Sequence, residues 1–180
     1  MKILLHICCA PCAVYCVNRL RDENNDIQGL FYNTNIHPRI EYRQRRESTQ
    51  LLSEKLNFKT TYLRDYMYED FFRRISFHES PEERCPLCWS LRLHKTAEFA
   101  SKNGFDGFTT TLLISPYQDH SKIKAIGKEA EIKHSVQFVY KDFRDGFRQS
   151  HRLSRDMGFY HQKYCGCVYS ELERYKERKN

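Results

Sequence analysis

The sequence predicts a single α/β domain: a mainly parallel, Rossmann-like sheet with helices on both faces. A chain of 180 residues, 40% of them hydrophobic, is long enough to bury one well-packed core. Short apolar runs alternate with longer amphipathic runs, and this alternation is typical of strand–helix–strand units. No repeat or low-complexity linker divides the chain, so we expect residues 1–180 to form one domain.

The strands are predicted from short apolar or β-branched runs. The first run, at residues 2–7, is followed by Pro11, which suits the first turn of a helix because that position needs no backbone amide. We predict the other strands at 27–32, in a short segment ending at 62, at 105–110 and at 135–139.

The helices are predicted from apolar residues at three- and four-residue spacing. Pro86 is expected to open the strongest helix after a polar turn at 80–84, and Gly104 suits its C-terminal stop. The predicted helices, after the one at Pro11, cover 39–56, 65–75, 86–103, a segment from 119, 143–157 and 168–179.

Charge and hydropathy indicate the class of partner. Lys and Arg number 30 against 23 Asp and Glu, giving a net charge of +7, which favours an anionic partner such as nucleic acid. The apolar run at Ile3 is too short for a signal peptide, and no stretch is long enough for a membrane span. We therefore expect a soluble, cytoplasmic protein without a membrane partner.

Seven of the eight cysteines fall into three tight groups, and Cys16 is expected in the core. In a reducing compartment such groups indicate metal or redox chemistry rather than a disulfide framework. Ligands of parallel α/β sheets bind beyond the carboxyl ends of the strands, where the first group lies. The groups are Cys8-Cys9-x-x-Cys12, Cys85-x-x-Cys88 and Cys165-Gly-Cys167.

The residue pattern leaves the cofactor open between zinc, an iron–sulfur cluster and a redox dithiol. Cys85 and Cys88 are three residues apart at a predicted helix start, where the helix dipole should lower the pKa of both thiols. Together with Cys8 and Cys9 they could supply the four thiolates of a 4Fe–4S cluster. Cys12 is a candidate ligand of a second metal.

Five segments, ILLHICCAPC, FYNTNIHP, CPLCWSLRL, FTTTLLISPYQD and YCGCVYSEL, resemble the QueH family of epoxyqueuosine reductases. The resemblance implies a cobalamin-independent oxidoreductase that reduces epoxyqueuosine to queuosine at the wobble position of tRNA. It implies 4Fe–4S ligation by Cys8, Cys9, Cys85 and Cys88, and a redox-active pair, Cys165 and Cys167. The first strand and helix also resemble HUP/PP-loop ATPases but lack their Ser/Gly-rich phosphate loop, so we do not expect ATP binding.

Removing an epoxide oxygen needs two electrons and two protons, so a cluster beside a dithiol is chemically sensible. We hypothesise that Cys165 and Cys167 act as donor or relay of electrons, with an unidentified electron donor as partner, and that an iron with an open position could bind the epoxide oxygen. A second, mononuclear iron is a further candidate cofactor. His6 is expected to be a core histidine. The candidate proton donors are His6, Asp119, His120 and His161.

Basic and aromatic residues are candidates for contacts with tRNA. Four arginines step by four, four and three residues and should form one stripe on a helix: Arg144, Arg148, Arg152 and Arg155. A second basic cluster is Arg43, Arg45 and Arg46. Candidates for base stacking are Tyr32, Tyr117 and Tyr160.

Two other classes of function fit the residues. One is a zinc-stabilised RNA-binding module without catalysis, and the other is a thiol–disulfide oxidoreductase acting on proteins. Bound iron and acid-labile sulfide would exclude the zinc module, and activity on protein disulfides without iron would favour the oxidoreductase.

Overall fold

A computed structural model describes residues 1–63 and 66–176 of the chain. Its centre is a five-stranded sheet of order β3-β2-β1-β4-β5 in which every neighbouring pair is parallel. The predicted parallel α/β fold is confirmed. The strands are β1 (Lys2–His6), β2 (Asp26–Phe31), β3 (Thr60–Tyr62), β4 (Gly107–Thr110) and β5 (Gln137–Phe138).

Helices cover both faces of the sheet. From β1 the sheet extends through β2 to β3 on one side and through β4 to β5 on the other. Right-handed crossovers therefore place the helices of these two halves on opposite faces of the sheet. The helices are α1 (Ala10–Arg21), α2 (Arg39–Lys55), α3 (Glu69–Ile75), α4 (Pro81–Lys102), α5 (His120–His134), α6 (Phe147–Asp156) and α7 (Val168–Lys176). Helix α6 packs on α1, and α5 packs on α4.

The main departure from the predicted elements is the start of α4. The helix begins at Pro81 and not at Pro86, so the polar turn predicted at 80–84 is wrong beyond Ser80, which is the N-cap. Pro81, followed by two glutamates, suits a first helical turn as well as Pro86 does. Gly104, with φ of 64°, ends the helix as predicted.

Two other helix boundaries also differ. The helix predicted at 65–75 begins at Glu69, and residue 65 lies outside the described residues, as do 177–179 of the last predicted helix. The helix predicted at 143–157 opens with a 3-10 turn, Arg144–Gly146, before α6 begins at Phe147.

The carboxyl edge of the sheet contains a topological switch point between β1 and β4. Crossovers leave these two neighbours toward opposite faces, which opens a crevice beyond their ends, the usual ligand site of such sheets. Cys8 follows β1 and Thr111 follows β4, so both lie at this crevice. Within the described part of the chain, no helix combines the length and apolar character needed to cross a bilayer.

Candidate metal and redox site

Three cysteines converge at the turn from β1 into α1. Cys9 is the extended N-cap residue of α1, so the chain turns at this point and the Sγ atoms of Cys8 and Cys9 lie 3.7 Å apart. With Cys12 in the first helical turn, the three sulfurs all lie within 4.8 Å of one another. Among residues 1–63 and 66–176, no other group of three or more His, Cys, Asp or Glu side chains has ligand atoms as close.

The pKa values of the three thiols are shifted in different directions. Hydrogen bonds from Cys12, Cys9 and Thr111 to its sulfur lower the pKa of Cys8 well below the usual range. Burial raises the pKa of Cys9, and hydrogen bonds with Cys8 and Cys9 raise the pKa of Cys12. Cys8 is therefore the thiol of the three that ionises most readily, and a metal ion takes the place of thiol protons when it binds.

Two side chains from distant segments hold the sulfurs. The Thr111 hydroxyl donates to Cys8 Sγ at 3.2 Å, and the Gln162 amide Nε2 donates to Cys9 Sγ at 2.9 Å. Hydrogen bonds of this kind orient thiolate ligands and tune the metal they bind. Sequence reasoning did not single out either residue, since neither belongs to a spacing pattern.

Cys85 and Cys88 lie inside α4 rather than at its start. Because α4 begins at Pro81, both thiols lie beyond the first-turn amides, and burial raises the pKa of Cys85 to about 11 and of Cys88 to about 12. The prediction that the helix start lowers these pKa values is therefore wrong. Cys88 packs with Cys167 in a small buried cluster beside Phe71.

Cys165 and Cys167 lie in the loop between α6 and α7. Cys165 is exposed at the cleft and Cys167 is buried. Gly166 between them has φ of 151°, and a Cβ atom there would lie 2.9 Å from Asn35 Nδ2, so the turn requires glycine. The Arg45 guanidinium fixes this loop by donating to the carbonyl oxygens of Cys165 (2.8 Å) and Tyr164 (3.0 Å).

A cleft of about 720 Å³ is lined by cysteines from two of the three groups, whereas Cys85 and Cys88 are not in its lining. Cys8, Cys12 and Cys165 line it, although they come from opposite ends of the chain. Its walls also contain the basic and aromatic side chains Arg45, Arg92, Tyr117, Phe147 and His151. The cleft therefore combines thiols, fixed positive charge and flat rings around one space.

The predicted basic residues separate into two kinds. Arg148, Arg152 and Arg155 lie exposed on α6. Arg144 is in the preceding 3-10 turn, where its Nε donates to Asp142 Oδ1 at 2.8 Å, so the single helical stripe of four arginines is wrong at this position. In the second cluster Arg43 is exposed and Arg45 is buried. The charge of Arg45 is compensated by its ion pair with Glu41.

The predicted proton donors are mostly engaged elsewhere. His6 is a core histidine, as expected: its ring nitrogens lie 2.9 Å from Thr110 Oγ1 and 3.2 Å from Tyr32 O. Asp119 caps α5 by accepting from Lys122 N, and Ser154 Oγ lies 2.8 Å from His161 Nε2. His120 Nδ1 lies 3.3 Å from the Tyr140 hydroxyl.

The three candidate stacking tyrosines also differ in exposure. Tyr32 is buried, and the Tyr160 hydroxyl donates to Glu41 Oε2 at 2.5 Å. Tyr117 is 84% exposed and lines the cleft, with its ring centroid 6.1 Å from that of Phe147. Only Tyr117 of the three therefore presents an open ring face at the site.

Fold and site together define a class: a parallel α/β domain with a thiol-rich centre at the switch point of its sheet. The fold has a relative among solved structures, a predicted subunit of tRNA methyltransferase from Methanocaldococcus jannaschii, with a TM-score of 0.55 and 14% identity. That match covers 86% of this chain and 74% of the other. At this level of identity it shows the fold alone.

Sequence comparison gives the family. Residues 3–173 match the family model described as epoxyqueuosine reductase QueH. Proteins named epoxyqueuosine reductase QueH from Dehalococcoides mccartyi and Thermotoga maritima are 33% and 37% identical, over 97% and 96% of this chain and 94% and 91% of theirs. The chain belongs to the epoxyqueuosine reductase QueH family and is an oxidoreductase.

Proposed function

We propose that this protein reduces the epoxide of epoxyqueuosine, at the wobble position of tRNA, to the cyclopentene of queuosine. The main support is the cleft, where the Cys8 group and the Cys165 loop meet around a space large enough for a modified nucleoside. The names of the relatives support the substrate. We propose that residues 1–180 work as one iron–sulfur reductase domain in the cytoplasm.

The residues present fit an iron–sulfur cluster. Thiolates are the ligands that such clusters require, and the sulfurs of two proposed ligands, Cys8 and Cys9, lie 3.7 Å apart. The proposed 4Fe–4S ligands are Cys8, Cys9, Cys85 and Cys88, and Cys12 is the proposed ligand of a second, mononuclear iron. When bound, the cluster would supply electrons one at a time.

The Cys165–Cys167 pair supplies the reducing equivalents in this proposal. Opening the epoxide and releasing its oxygen as water consumes two electrons and two protons, and oxidation of one dithiol to a disulfide provides both. Cys165 is exposed, so an external electron donor, still unidentified, can reach the pair to reduce it again. Cys167 is buried in the same small cluster as Cys88, a proposed cluster ligand, and this proximity supports the role of the pair.

A row of rings and a basic helix face suit single-stranded RNA. From Tyr117 the row continues through Phe147 to His151, whose centroids lie 4.5 Å apart, and then to His161 at 5.5 Å. Bases of unpaired RNA stack on such rings. Arg148 and Arg152 lie exposed beside the ring-bearing face of α6, where a phosphate backbone would run.

The test is anaerobic purification with iron and sulfide analysis, followed by multiple-turnover assay on tRNA that contains epoxyqueuosine. We expect about four sulfides and about five irons, four in the 4Fe–4S cluster and one mononuclear, with queuosine as product and loss of turnover in the Cys165→Ser, Cys167→Ser double variant. Cys16→Ser is the matched control, because Cys16 is buried on the same helix as Cys12 but outside the thiol group. A colourless zinc protein without activity, or full turnover by the double variant, would contradict the proposal.

A further inference from the structure

Arg92 carries a permanent positive charge in a place almost closed to water. It lies on α4 and only 1% of its surface is exposed. A guanidinium stays protonated in proteins, and burying it costs several kcal/mol unless an opposite charge compensates. The charge of Arg92 therefore needs a partner within the protein.

No carboxylate provides that partner in the part of the chain that the structure describes. Arg45 pairs with Glu41 at 2.7 Å and Arg84 with Glu173 at 2.6 Å, but Arg92 forms no such ion pair. Its Nε donates to the Cys88 carbonyl oxygen at 3.2 Å, and its Nη2 has no hydrogen-bond partner among the described residues. The carbonyl is polar but carries no net charge.

The acidic groups that interact with Arg92 are cysteines from three segments, and the core histidine His6 also lies close enough to feel its charge. The cysteines lie in the β1–α1 turn, in α4 itself and in the α6–α7 loop, and each would attract the guanidinium when ionised; they are Cys8, Cys85, Cys88 and Cys165. Arg92 also lines the cleft together with Cys8, Cys12 and Cys165. Neutral thiols cannot balance its charge, whereas metal-ligating thiolates can.

We propose that Arg92 is the counter-charge of the cysteine centre: a positioning residue that stabilises the thiolate-ligated form, and most of all its reduced, more negative state. The inference rests on the thiolate centre of the proposed function but not on its substrate. A fixed positive charge close to a redox centre favours the state with one more electron, and so raises the reduction potential.

The experiment compares Arg92→Met, which keeps length without charge, with Arg92→Lys, which keeps the charge. Both are purified anaerobically as holoproteins, and the reduced fraction of the cluster is followed by EPR in a potential titration. At a fixed potential we expect the reduced-to-oxidised ratio to fall about tenfold or more in Arg92→Met, equal to ~59 mV for one electron, and to stay near wild type in Arg92→Lys. Failure of Arg92→Met alone to retain iron would also support the role. Equal potentials in all three proteins would overturn it.

Thermal unfolding of the metal-free full chain separates charge balance from simple packing. Metal binding displaces thiol protons, so without metal fewer of the cysteines are thiolates and Arg92 has less counter-charge. We expect metal-free Arg92→Met to melt at a higher temperature than metal-free wild type, because the uncompensated charge is gone. A lower melting temperature for both Arg92→Met and Arg92→Lys would assign Arg92 to packing and overturn the inference.

Failure of the proposed function would look different. If the wild-type protein holds no iron, the reductase proposal fails, and Zn²⁺ then becomes the probe of the thiolate centre. Weaker Zn²⁺ binding by Arg92→Met than by Arg92→Lys, about tenfold, would support the counter-charge role, and equal binding would overturn it.

Discussion

The Thr111 hydroxyl contacts Cys8 at two points across a separation of 103 residues. It accepts from the Cys8 backbone amide at 3.1 Å and donates to Cys8 Sγ at 3.2 Å. These bonds join the end of β1 to the end of β4 across the switch point. The cysteine turn is therefore held by the neighbouring strand as well as by its own helix.

Replacing Thr111 by Val is expected to weaken the metal centre while keeping the shape of the side chain. A hydrogen bond to a charged group contributes about 1.5–3 kcal/mol, so metal affinity should fall about tenfold or more. Thr111→Ser keeps the hydroxyl and should retain the metal. Iron content after limited chelator exposure is the measurement, and equal retention by both variants would show that the bond to Cys8 does not matter.

Removing the outermost ring of the cleft is expected to weaken RNA binding. Tyr117→Ala loses the stacking face, which contributes about 1–3 kcal/mol per base, so KM for tRNA should rise about fivefold or more with a smaller change in kcat. Tyr117→Phe keeps the ring and should behave like wild type. Ile132→Ala removes another exposed apolar side chain, on α5 away from the cleft lining, and controls for general surface effects.

Reversing charge on α6 should alter the salt dependence of RNA binding. In the Arg148→Glu, Arg152→Glu double variant we expect a higher KM and a flatter dependence of KM on salt, because fewer counterions are released. The control is Lys59→Glu with Lys133→Glu, an equal charge change at exposed positions near the amino ends of the strands. A matching effect of both double variants would indicate a response to net charge alone.

The buried ion pair between Arg45 and Glu41 should stabilise both the fold and the Cys165 loop. Arg45 Nε donates to Glu41 Oε1 at 2.7 Å, with 1% and 8% of the two side chains exposed. Breaking a buried pair leaves an uncompensated charge, so Glu41→Ala should lower the free energy of unfolding by about 3–5 kcal/mol. The matched control Glu47→Ala breaks the exposed pair with Arg43 and should cost below about 1 kcal/mol in urea unfolding.

Acid should destabilise the protein partly through His37. Burial lowers the pKa of His37 to about 4, and neither ring nitrogen has a hydrogen-bond partner among the described residues. Below about pH 6.5, the ordinary pKa of histidine, His37 is protonated in the unfolded chain but stays neutral in the folded chain. The free energy of unfolding therefore decreases as pH falls from about 6.5 toward 4.

The variant His37→Phe lacks this titration and can stack on Phe72, as His37 does with ring centroids 4.8 Å apart. Between about pH 7.5 and pH 5 it should lose about 2 kcal/mol less unfolding free energy than wild type. Parallel urea curves for both proteins at each pH are the measurement. An equal loss in the two proteins would contradict the neutral, buried state of His37.

Local patterns in the sequence determined the parallel α/β fold and most element positions. Hydrophobic spacing, Pro11 and Gly104 act within a few residues, so they can be interpreted without knowing which segments meet. The start of α4 was predicted wrongly because Pro81 and Pro86 are equally good first-turn residues, and local signals do not choose between them.

The sequence also determined the cysteine groups, the family motifs and the basic character of the chain. Only the tertiary structure decided which groups share a space. Thr111, Gln162 and Arg92 act on cysteines brought to them by the strand order, and no spacing pattern predicts contacts across 103 residues. Burial also distinguishes the arginines. Arg45 and Arg148 carry the same charge in the sequence, but folding buries Arg45 and leaves Arg148 exposed to solvent.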